Sequence, residues 1–331
     1  MTGRRARASL IPVSVAVLTI LVPGGRAVAS GRNPADRQFD RARHAVHAYE
    51  FSGSVRIWWR DESGGHVTKV SVDARHGALD VGDGRIVHEQ GRAWMRSNRR
   101  WITLWGENSD IPSPSISPKY RVSSEPGPVI LRRATDRLSV RRRGQPVEIV
   151  DFDRETGVVL QRNRFDSSGA SDLRMEFVAL NGLRRREGPD RSPVRTAAAD
   201  LGTRRGVPST ALRSLGQGFR LIEVRSMAGE ATQLRYSDGV FEASVFSQPG
   251  VTDWKGLPGG GRDVLYGTVR ARRYRTPVGT VLVWQVNERT LTCVTDATAT
   301  DQAAMIGSLS RDREGLWTSL TRFVNGPFDW K

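Results

Sequence analysis

The sequence predicts a mostly β, α+β protein of two domains, each built on an antiparallel sheet that a helix covers. Residues 147–180 carry the clearest signal, because they read as three strands joined by two short turns. In the third strand, apolar Leu173 and Met175 alternate with charged residues such as Arg174, which is the period typical of a half-buried strand. Such a meander has one apolar face, which the rest of the domain has to cover.

Further short segments with strand composition lie on both sides of this meander, and turn residues separate them. They are 51–60, 67–73, 78–81, 85–88, 93–96, 101–105, 120–123, 129–132 and 138–142 in the first part, and 218–224, 232–236, 240–247, 265–270, 281–286 and 291–295 in the second. Strands at this spacing predict a single curved antiparallel sheet in the first part. Residues 106–118 are rich in Ser and Pro, so we expect a long loop that is either disordered or positioned over a site.

Helices are predicted at three places. Asn33 and Pro34 are typical of a helix start, and after them an apolar stripe recurs at helical spacing, which predicts a cover for the first sheet. The stripe consists of Phe39, Ala42, Val46 and Tyr49. Residues 301–309 and 316–323 are the candidates in the second domain. His44 and His47 lie three apart on the first helix, but no third ligand is evident, so we expect a surface pair and no metal site.

The chain begins with a predicted signal peptide at residues 1–29. Arginines precede an apolar run at 10–22, and the small residues of 27–29 follow as a cleavage pattern. We therefore expect an exported, soluble protein of the periplasm or cell envelope, with an uncleaved anchor as the alternative. The predicted domains are 30–182 and 209–331, and a polar linker at 183–208 joins them.

The formal net charge is +16 and comes mostly from arginine. An exported protein does not meet chromosomal DNA, so no nucleic-acid partner is expected. The charge is consistent with anionic lipid headgroups, acidic wall polymers or an acidic protein segment, and equally with a solvated surface encoded by a GC-rich genome. Cys293 is the only cysteine, which excludes an intramolecular disulfide; its apolar strand predicts a buried, inert thiol.

No catalytic constellation is evident. The chain lacks a Gly-x-Ser-x-Gly elbow, its histidines all lie in the first third, and its glycine-rich segments lack the context of a phosphate-binding loop. Asp151 and Asp153 lie next to a hairpin turn, so we interpret them as cap and turn residues and not as an acid–base pair. We predict that the protein is not an enzyme and needs no cofactor.

The first domain does have a strongly apolar sheet face with several tryptophans. Its candidate ligand-binding residues are Phe51, Val55, Ile57, Trp59, Val70, Val72, Trp101 and Trp105. If the helical cover is incomplete, this face forms a slot for an acyl chain, and each buried methylene stabilises binding by about 0.8 kcal/mol. The alternative is an ordinary filled core.

Several segments, taken in order, resemble the RseB/MucB family. They are Ala48-Tyr49-Glu50-Phe51-Ser52-Gly53-Ser54-Val55, Gly144-Gln145-Pro146-Val147, the run at 153–162, Gly218-Phe219-Arg220-Leu221, the runs at 233–239 and 243–246, and Thr292-Cys293-Val294-Thr295-Asp296-Ala297. In order, they span nearly the whole mature chain. The arginine excess and the 106–118 loop depart from the best-known members of the family and look actinobacterial.

The resemblance implies a LolA/LolB-like first domain, which is an unclosed antiparallel β-barrel with helical cover, followed by a smaller α+β domain. It also implies a partner, the extracytoplasmic part of a membrane anti-sigma factor, which such proteins shield from proteolysis until an envelope lipid signal releases them. The protein would thus regulate an extracytoplasmic-function sigma factor negatively. A lipid or lipoprotein carrier using the same apolar slot is the alternative, and an envelope module held to acidic polymers by its arginines is a third.

Overall fold

The computed structural model describes two separate antiparallel sheets. The described residues are 37, 38, 41, 42, 45, 48–61, 63–75, 78–81, 86–89, 92–97, 100–105, 116–187, 202–205, 213–227, 231–276 and 279–311; between 75 and 105, and at 202–205, 226, 227 and 311, the description covers the backbone only. The chain divides into two compact units, and each sheet lies within one of them. The prediction of a mostly β, antiparallel protein is confirmed.

The first sheet has eleven strands in the order β6-β5-β4-β3-β2-β1-β11-β10-β9-β8-β7. Their bounds are β1 Tyr49–Asp61, β2 Gly64–Arg75, β3 Ala78–Val81, β4 Ile86–Glu89, β5 Arg92–Ser97, β6 Arg100–Trp105, β7 Arg121–Pro126, β8 Thr135–Arg142, β9 Gln145–Asp153, β10 Val159–Phe165 and β11 Ser171–Arg185. Two meanders are thus joined where β1 pairs with β11. Among the described residues no ladder joins β6 to β7, so the sheet is not closed into a barrel, as predicted.

Strand β1 is the sixth of the eleven strands in the sheet order, so it lies at the centre of the sheet and pairs with a neighbour on each side. Val55 lies opposite Val70 of β2 and opposite Phe177 of β11, so the alternation read from the sequence places apolar side chains of all three strands on one face. A β-bulge interrupts the β1–β11 ladder between Ser54 and Val55. At Gly53 a Cβ atom would lie 2.2 Å from the carbonyl oxygen of Ala179, so only glycine allows this close approach.

Residues 37, 38, 41, 42, 45 and 48 are helical, and this segment leads directly into β1. Ala42 and Ala45 are buried, and the Arg41 guanidinium donates to the carbonyl oxygen of Arg154 in the β9–β10 turn at 2.6 Å. The predicted helical stripe was wrong at its last position: Tyr49 begins β1, where it pairs with Arg185. Backbone pairing with β11 ends the helix there. Phe39, Val46, His44 and His47 lie outside the described residues.

Two strand predictions were wrong because a turn interrupts the apolar residues. Residues 129–132 form no strand; Ile130 and Arg133 make a bridge around Leu131 and Arg132, whose φ angles are 50° and 62°. Residues 265–270 form a hairpin instead of one strand, since Gly267 has a φ of 63° and reverses the chain. Of the predicted 106–118 loop, residues 106–115 lie outside the described part.

The second sheet has nine strands, in the order β12-β14-β15-β16-β20-β19-β18-β17, with β13 also paired to β14. Their bounds are β12 Gly202–Arg205, β13 Ser214–Leu215, β14 Phe219–Met227, β15 Thr232–Ser237, β16 Glu242–Pro249, β17 Arg262–Tyr266, β18 Val269–Thr276, β19 Gly279–Val286 and β20 Arg289–Thr295. Strand β11 runs past the predicted domain end at residue 182, and β12 lies within the predicted linker. The exact domain limits therefore stay predictions.

A helix from Ala299 to Arg311 covers one face of this sheet, and the expectation for 301–309 is confirmed. Thr298 caps it, since its hydroxyl accepts from the Asp301 amide at 3.4 Å and donates to the Asp301 carboxylate at 2.8 Å. Met305, Ile306 and Leu309 are its buried residues. The predicted helix at 316–323 lies outside the described residues. No helix in the described part combines the length and the apolarity needed to cross a bilayer.

Candidate ligand-binding face of the first sheet

Four of the predicted ligand-binding residues are fully buried on one face of the first sheet. Phe51, Val55, Ile57 and Val72 are at most 3 % exposed. The Phe51 and Phe177 rings meet edge to face, with centroids 6.0 Å apart. Since the described neighbours already cover these side chains, this part of the face has the packing of a filled core.

Two further candidates lie at the same face but are only half-buried. Val70 is directly opposite Val55, and Trp59 stacks on His66 with a centroid separation of 5.1 Å. Asp61 fixes the His66 ring, because its carboxylate lies 2.8 Å from His66 Nε2. Hydrogen bonds from Ser63 and His66 lower the pKa of Asp61 to about 2. The accessible positions of the predicted face are therefore Trp59 on β1 and Val70 on β2.

Trp101 and Trp105 belong to β6, at one edge of the sheet. Strands β2 to β5 lie between β6 and β1 in the sheet order. The two tryptophan side chains lie outside the described part, so their place on the ligand-binding face stays a prediction. Ligand binding itself stays a prediction for all the candidates.

Sequence reasoning missed two buried ion pairs on the same face. Arg162 lies opposite Met175, and Arg164 lies opposite Leu173, so both point to the side on which Ile57 is buried. The Arg162 guanidinium donates to the buried Glu148 carboxylate. Arg164 donates to Asp172 through Nε at 2.8 Å and Nη2 at 3.2 Å. A sequence signal for these pairs does exist. Arg162 and Arg164 occupy inward-facing positions of β10, and the acid Glu148 occupies an inward-facing position of the neighbouring β9.

These pairs divide the face into two chemically different parts. The β1 and β2 end is apolar, whereas the β9 and β10 end carries fixed charges that are already neutralised by their partners. A ligand lying across both parts would need an apolar chain and a polar end. The described residues contain no group of three or more side chains that could hold a metal ion.

The acidic residues next to the β9–β10 turn have structural partners. Asp153 Oδ1 accepts from the amide and the hydroxyl of Thr156, both at 2.7 Å, as the turn interpretation predicted. Burial opposes ionisation of Asp153, but hydrogen bonds from Arg133 and Thr156 keep its pKa below the ordinary value. Asp151 is held in a bidentate pair by Arg137, at 2.7 and 2.9 Å. Both aspartates therefore have structural partners, Asp153 in the turn and Asp151 in the ion pair with Arg137.

The second sheet contains its own buried ionic network. The Glu223 carboxylate accepts from Arg225 Nε at 2.7 Å and from Arg235 Nη1 at 2.9 Å, and Arg235 also reaches Glu242 at 3.2 Å. Although burial opposes it, the two carboxylates raise the pKa of Arg235. Cys293 is buried, and burial raises the pKa of its thiol to about 12. The prediction of a buried thiol is confirmed.

Comparisons with known proteins give a match among solved structures only. No family model matches the chain, and no curated protein matches it. A crystal structure of MucB is 18 % identical over 83 % of this chain and 98 % of its own, with a TM-score of 0.43. The MucA/MucB complex of Pseudomonas aeruginosa is 17 % identical over 82 % of this chain and 97 % of its own, with a TM-score of 0.43.

A putative outer membrane lipoprotein-sorting protein domain from Vibrio parahaemolyticus also matches. It is 9 % identical over 46 % of this chain and 94 % of its own, with a TM-score of 0.20. All three solved structures are below 20 % identical to this chain, and their TM-scores are below 0.5.

Proposed function

We propose that this protein is an exported negative regulator of an extracytoplasmic-function sigma-factor pathway. It binds the extracytoplasmic part of a membrane-spanning anti-sigma factor and shields that segment from proteolysis. Nothing in this function needs a bond to be made or broken by the protein itself. The partner is a membrane protein, and the regulator works outside the membrane that holds it.

The order of the family-like segments across both units is the observation that carries the proposal. In the first sheet they form the start of β1, the β8–β9 turn and the β9–β10 turn. In the second sheet they form β14, the β15–β16 hairpin and β20 with the chain leading into the helix. These segments set the register of both sheets, so the resemblance extends to the framework of each unit.

Several of these segments have a visible structural role. Asp238 caps the β15–β16 turn by accepting from the amides of Val240 and Phe241 at 3.0 and 2.8 Å. Asp296, after β20, accepts from the Glu242 amide at 2.9 Å and so fixes the start of β16. Since both acids belong to the motif segments, the motifs encode turn geometry that a two-unit protein of this kind needs.

Release requires a signal that favours the unbound protein. We propose an envelope lipid whose chain enters the buried face at its half-buried positions, Trp59 on β1 and Val70 on β2. Lipid binding and partner binding must then oppose one another, which is a coupling between two sites. A lipid with the same affinity for the free and the partner-bound protein would release nothing.

The test is to capture the tagged protein from its own envelope after mild crosslinking and to identify the proteins and lipids that accompany it. Enrichment of one single-span membrane protein with a cytoplasmic sigma-binding domain supports the regulator. Lipid without such a protein would instead support a lipid or lipoprotein carrier. Capture of neither would remove the support for both functions.

Shielding has its own assay. The captured partner's extracytoplasmic segment is digested with a protease of the same envelope, with and without this protein. We expect cleavage to slow in proportion to the fraction bound, because occlusion protects only the bound segment. Equal cleavage at saturating protein would contradict the shielding mechanism while leaving binding intact.

Trp59→Ala tests the lipid part of the proposal. Since Trp59 is half-buried, we expect little change in the melting temperature but weaker retention of co-purified lipid. Trp254→Ala is the matched control, because Trp254 is a half-buried tryptophan of the second unit. A large fall in melting temperature for Trp59→Ala would place the ring in the core and contradict the slot.

A further inference from the structure

The three central strands of the first sheet place several basic side chains on the face opposite to Ile57. Alternation places one set of side chains there, which we call the basic tryptophan patch. It consists of Arg56, Trp58, Arg60, Val67, Lys69 and Arg174. The lipid proposed as the release signal uses the other face, so the patch is not needed for lipid entry.

Strand register brings these residues together. Trp58 lies directly opposite Val67 on β2 and Arg174 on β11, and Arg56 lies opposite Lys69. The Arg60 guanidinium is 5.5 Å from the centroid of the Trp58 ring, within the range of a cation–π contact. The patch is therefore one continuous surface across neighbouring strands.

The patch is both accessible and positively charged. Val67 is 63 % exposed, and the side chains of Arg56 and Arg174 are 55 % and 50 % exposed. Among the described residues, Glu176 is the carboxylate placed between these cations, and it pairs with Arg56 at 3.4 Å and with Arg174 at 2.7 Å. Within the described residues of this surface, the four cationic side chains outnumber the Glu176 carboxylate.

We propose that the basic tryptophan patch docks the protein on an anionic bilayer surface. Arginine and lysine contact lipid phosphates, whereas a tryptophan ring with an exposed aliphatic neighbour suits the boundary between headgroups and acyl chains. The cations would also suit an acidic peptide. An acidic peptide, however, gives no role to the exposed Val67 beside the Trp58 ring, so the combination favours a membrane surface.

In this docked state, the sheet face that carries the basic tryptophan patch would lie against the membrane surface. Attraction by clustered cations falls off within a Debye length, so it would be strong at low salt and weak at high salt. The contribution of Trp58 and Val67 would be less sensitive to salt, because it depends on apolar contact.

The test measures co-sedimentation of the protein, as recovered from the envelope of its own cells, with lipid vesicles. The vesicles are phosphatidylcholine alone or phosphatidylcholine with about one third phosphatidylglycerol. The variant Arg60→Gln/Lys69→Gln removes two patch cations. Its control, Arg121→Gln/Arg141→Gln, removes two exposed arginines that face each other on β7 and β8 of the same sheet.

We expect binding to the anionic vesicles only. The patch variant should lose more than about tenfold in affinity, because each basic residue at a membrane surface contributes about fivefold. The control should change affinity by less than about threefold. All variants carry the same N-terminal segment, so any membrane contact made by its apolar run cancels in the comparison. Equal losses in variant and control would overturn the patch as the docking site.

Two further measurements separate the membrane from other partners. Val67→Asn keeps every charge, and we expect it to lower vesicle binding at high salt, where the apolar contact remains. In parallel, binding to polyglutamate is measured for the same proteins. If the patch variant loses polyglutamate binding while vesicle binding is unchanged, the surface serves an acidic polymer and the membrane proposal is overturned.

Discussion

The two units bury their charged residues in different ways. In the first sheet, Arg162 with Glu148 and Arg164 with Asp172 are paired across strands. In the second sheet, Glu223 alone accepts from two buried arginines, and Arg235 continues the chain to Glu242. The second cluster is therefore a connected network that depends on one carboxylate.

This difference decides how much each unit depends on a single residue. Removing one partner of a buried ion pair leaves the other charge unpaired in a poorly solvated site, which lowers stability. Removing both partners can leave stability nearly unchanged. At Glu223, one substitution removes a carboxylate from two guanidinium groups at once, although Arg235 keeps Glu242. The same kind of change should therefore cost more in the second unit than in the first.

The largest effect is expected for Glu223→Gln. Loss of the shared carboxylate should lower the free energy of unfolding of the second unit by about 5 kcal/mol, the upper end for a broken buried pair. Hydrogen exchange of the β14 and β15 amides during urea unfolding reports this unit separately. Glu176→Gln is the control, since its exposed arginine partners should make it cost below about 1 kcal/mol. Equal costs for the two variants would contradict the network.

Glu148→Gln should have a smaller effect, a loss of about 3 kcal/mol, the lower end for a broken buried pair, because it takes the carboxylate away from the buried Arg162. The combined change Glu148→Leu/Arg162→Met should recover most of that loss, since it removes both charges and fills a similar volume. Urea unfolding followed by exchange at β9 and β10 measures both. If the double variant is less stable than Glu148→Gln, the prediction is wrong, and the attraction between Arg162 and Glu148 stabilises the unit by more than the desolvation of the two charges costs.

Tyr236→Phe should change stability in the opposite direction. Tyr236 is 0 % exposed, and its hydroxyl finds no hydrogen-bond partner among the described residues. Burial raises the pKa of Tyr236, which keeps the hydroxyl neutral. Removing the hydroxyl should stabilise the second unit by about 1 kcal/mol, because a buried polar group without a partner is unfavourable. A loss of stability by thermal unfolding would reveal a hydrogen bond to the hydroxyl.

Asp61→Asn should give the smallest and most pH-dependent effect. The pKa of Asp61 is lowered to about 2 in the folded state, so its contribution is present above the ordinary value of 3.8 and disappears as the pH falls toward 2. The stability difference between the native protein and Asp61→Asn should thus be constant near neutral pH and shrink between about 4 and 2. We expect below about 1 kcal/mol, because solvent screens this pair. A difference that stays constant down to pH 2 would exclude the Asp61 carboxylate as its source.

Much of the fold could be predicted because strand alternation is a local signal. The positions of β3, β6 and β15 follow from short runs of strand-forming residues between turn residues, and the apolar face of β1 follows from its period. The turn at Leu131 and Arg132 could not be predicted, since neither residue is a usual occupant of a positive φ. Sheet pairing supplied that conformation.

The candidate site was predicted less completely, and for a different reason. Apolar alternation identified Phe51, Val55 and Ile57, but it treats any inward charge as an exception. Arg162 and Glu148 lie on the same face only because β9 and β10 pair in one particular register. Register between strands depends on the whole sheet, so these ion pairs could be found only from the assembled structure.

The pairing of β1 with β11 also sets the order in which the first unit can form. Arg184 binds the Glu50 carboxylate at 2.8 Å, although 134 positions separate them along the chain. Contacts between such distant residues require a large loop to close, which slows folding. During synthesis β1 appears long before its central partner, and its apolar face stays open until β11 has emerged. We therefore expect the first unit to complete folding only after β11 has been synthesised.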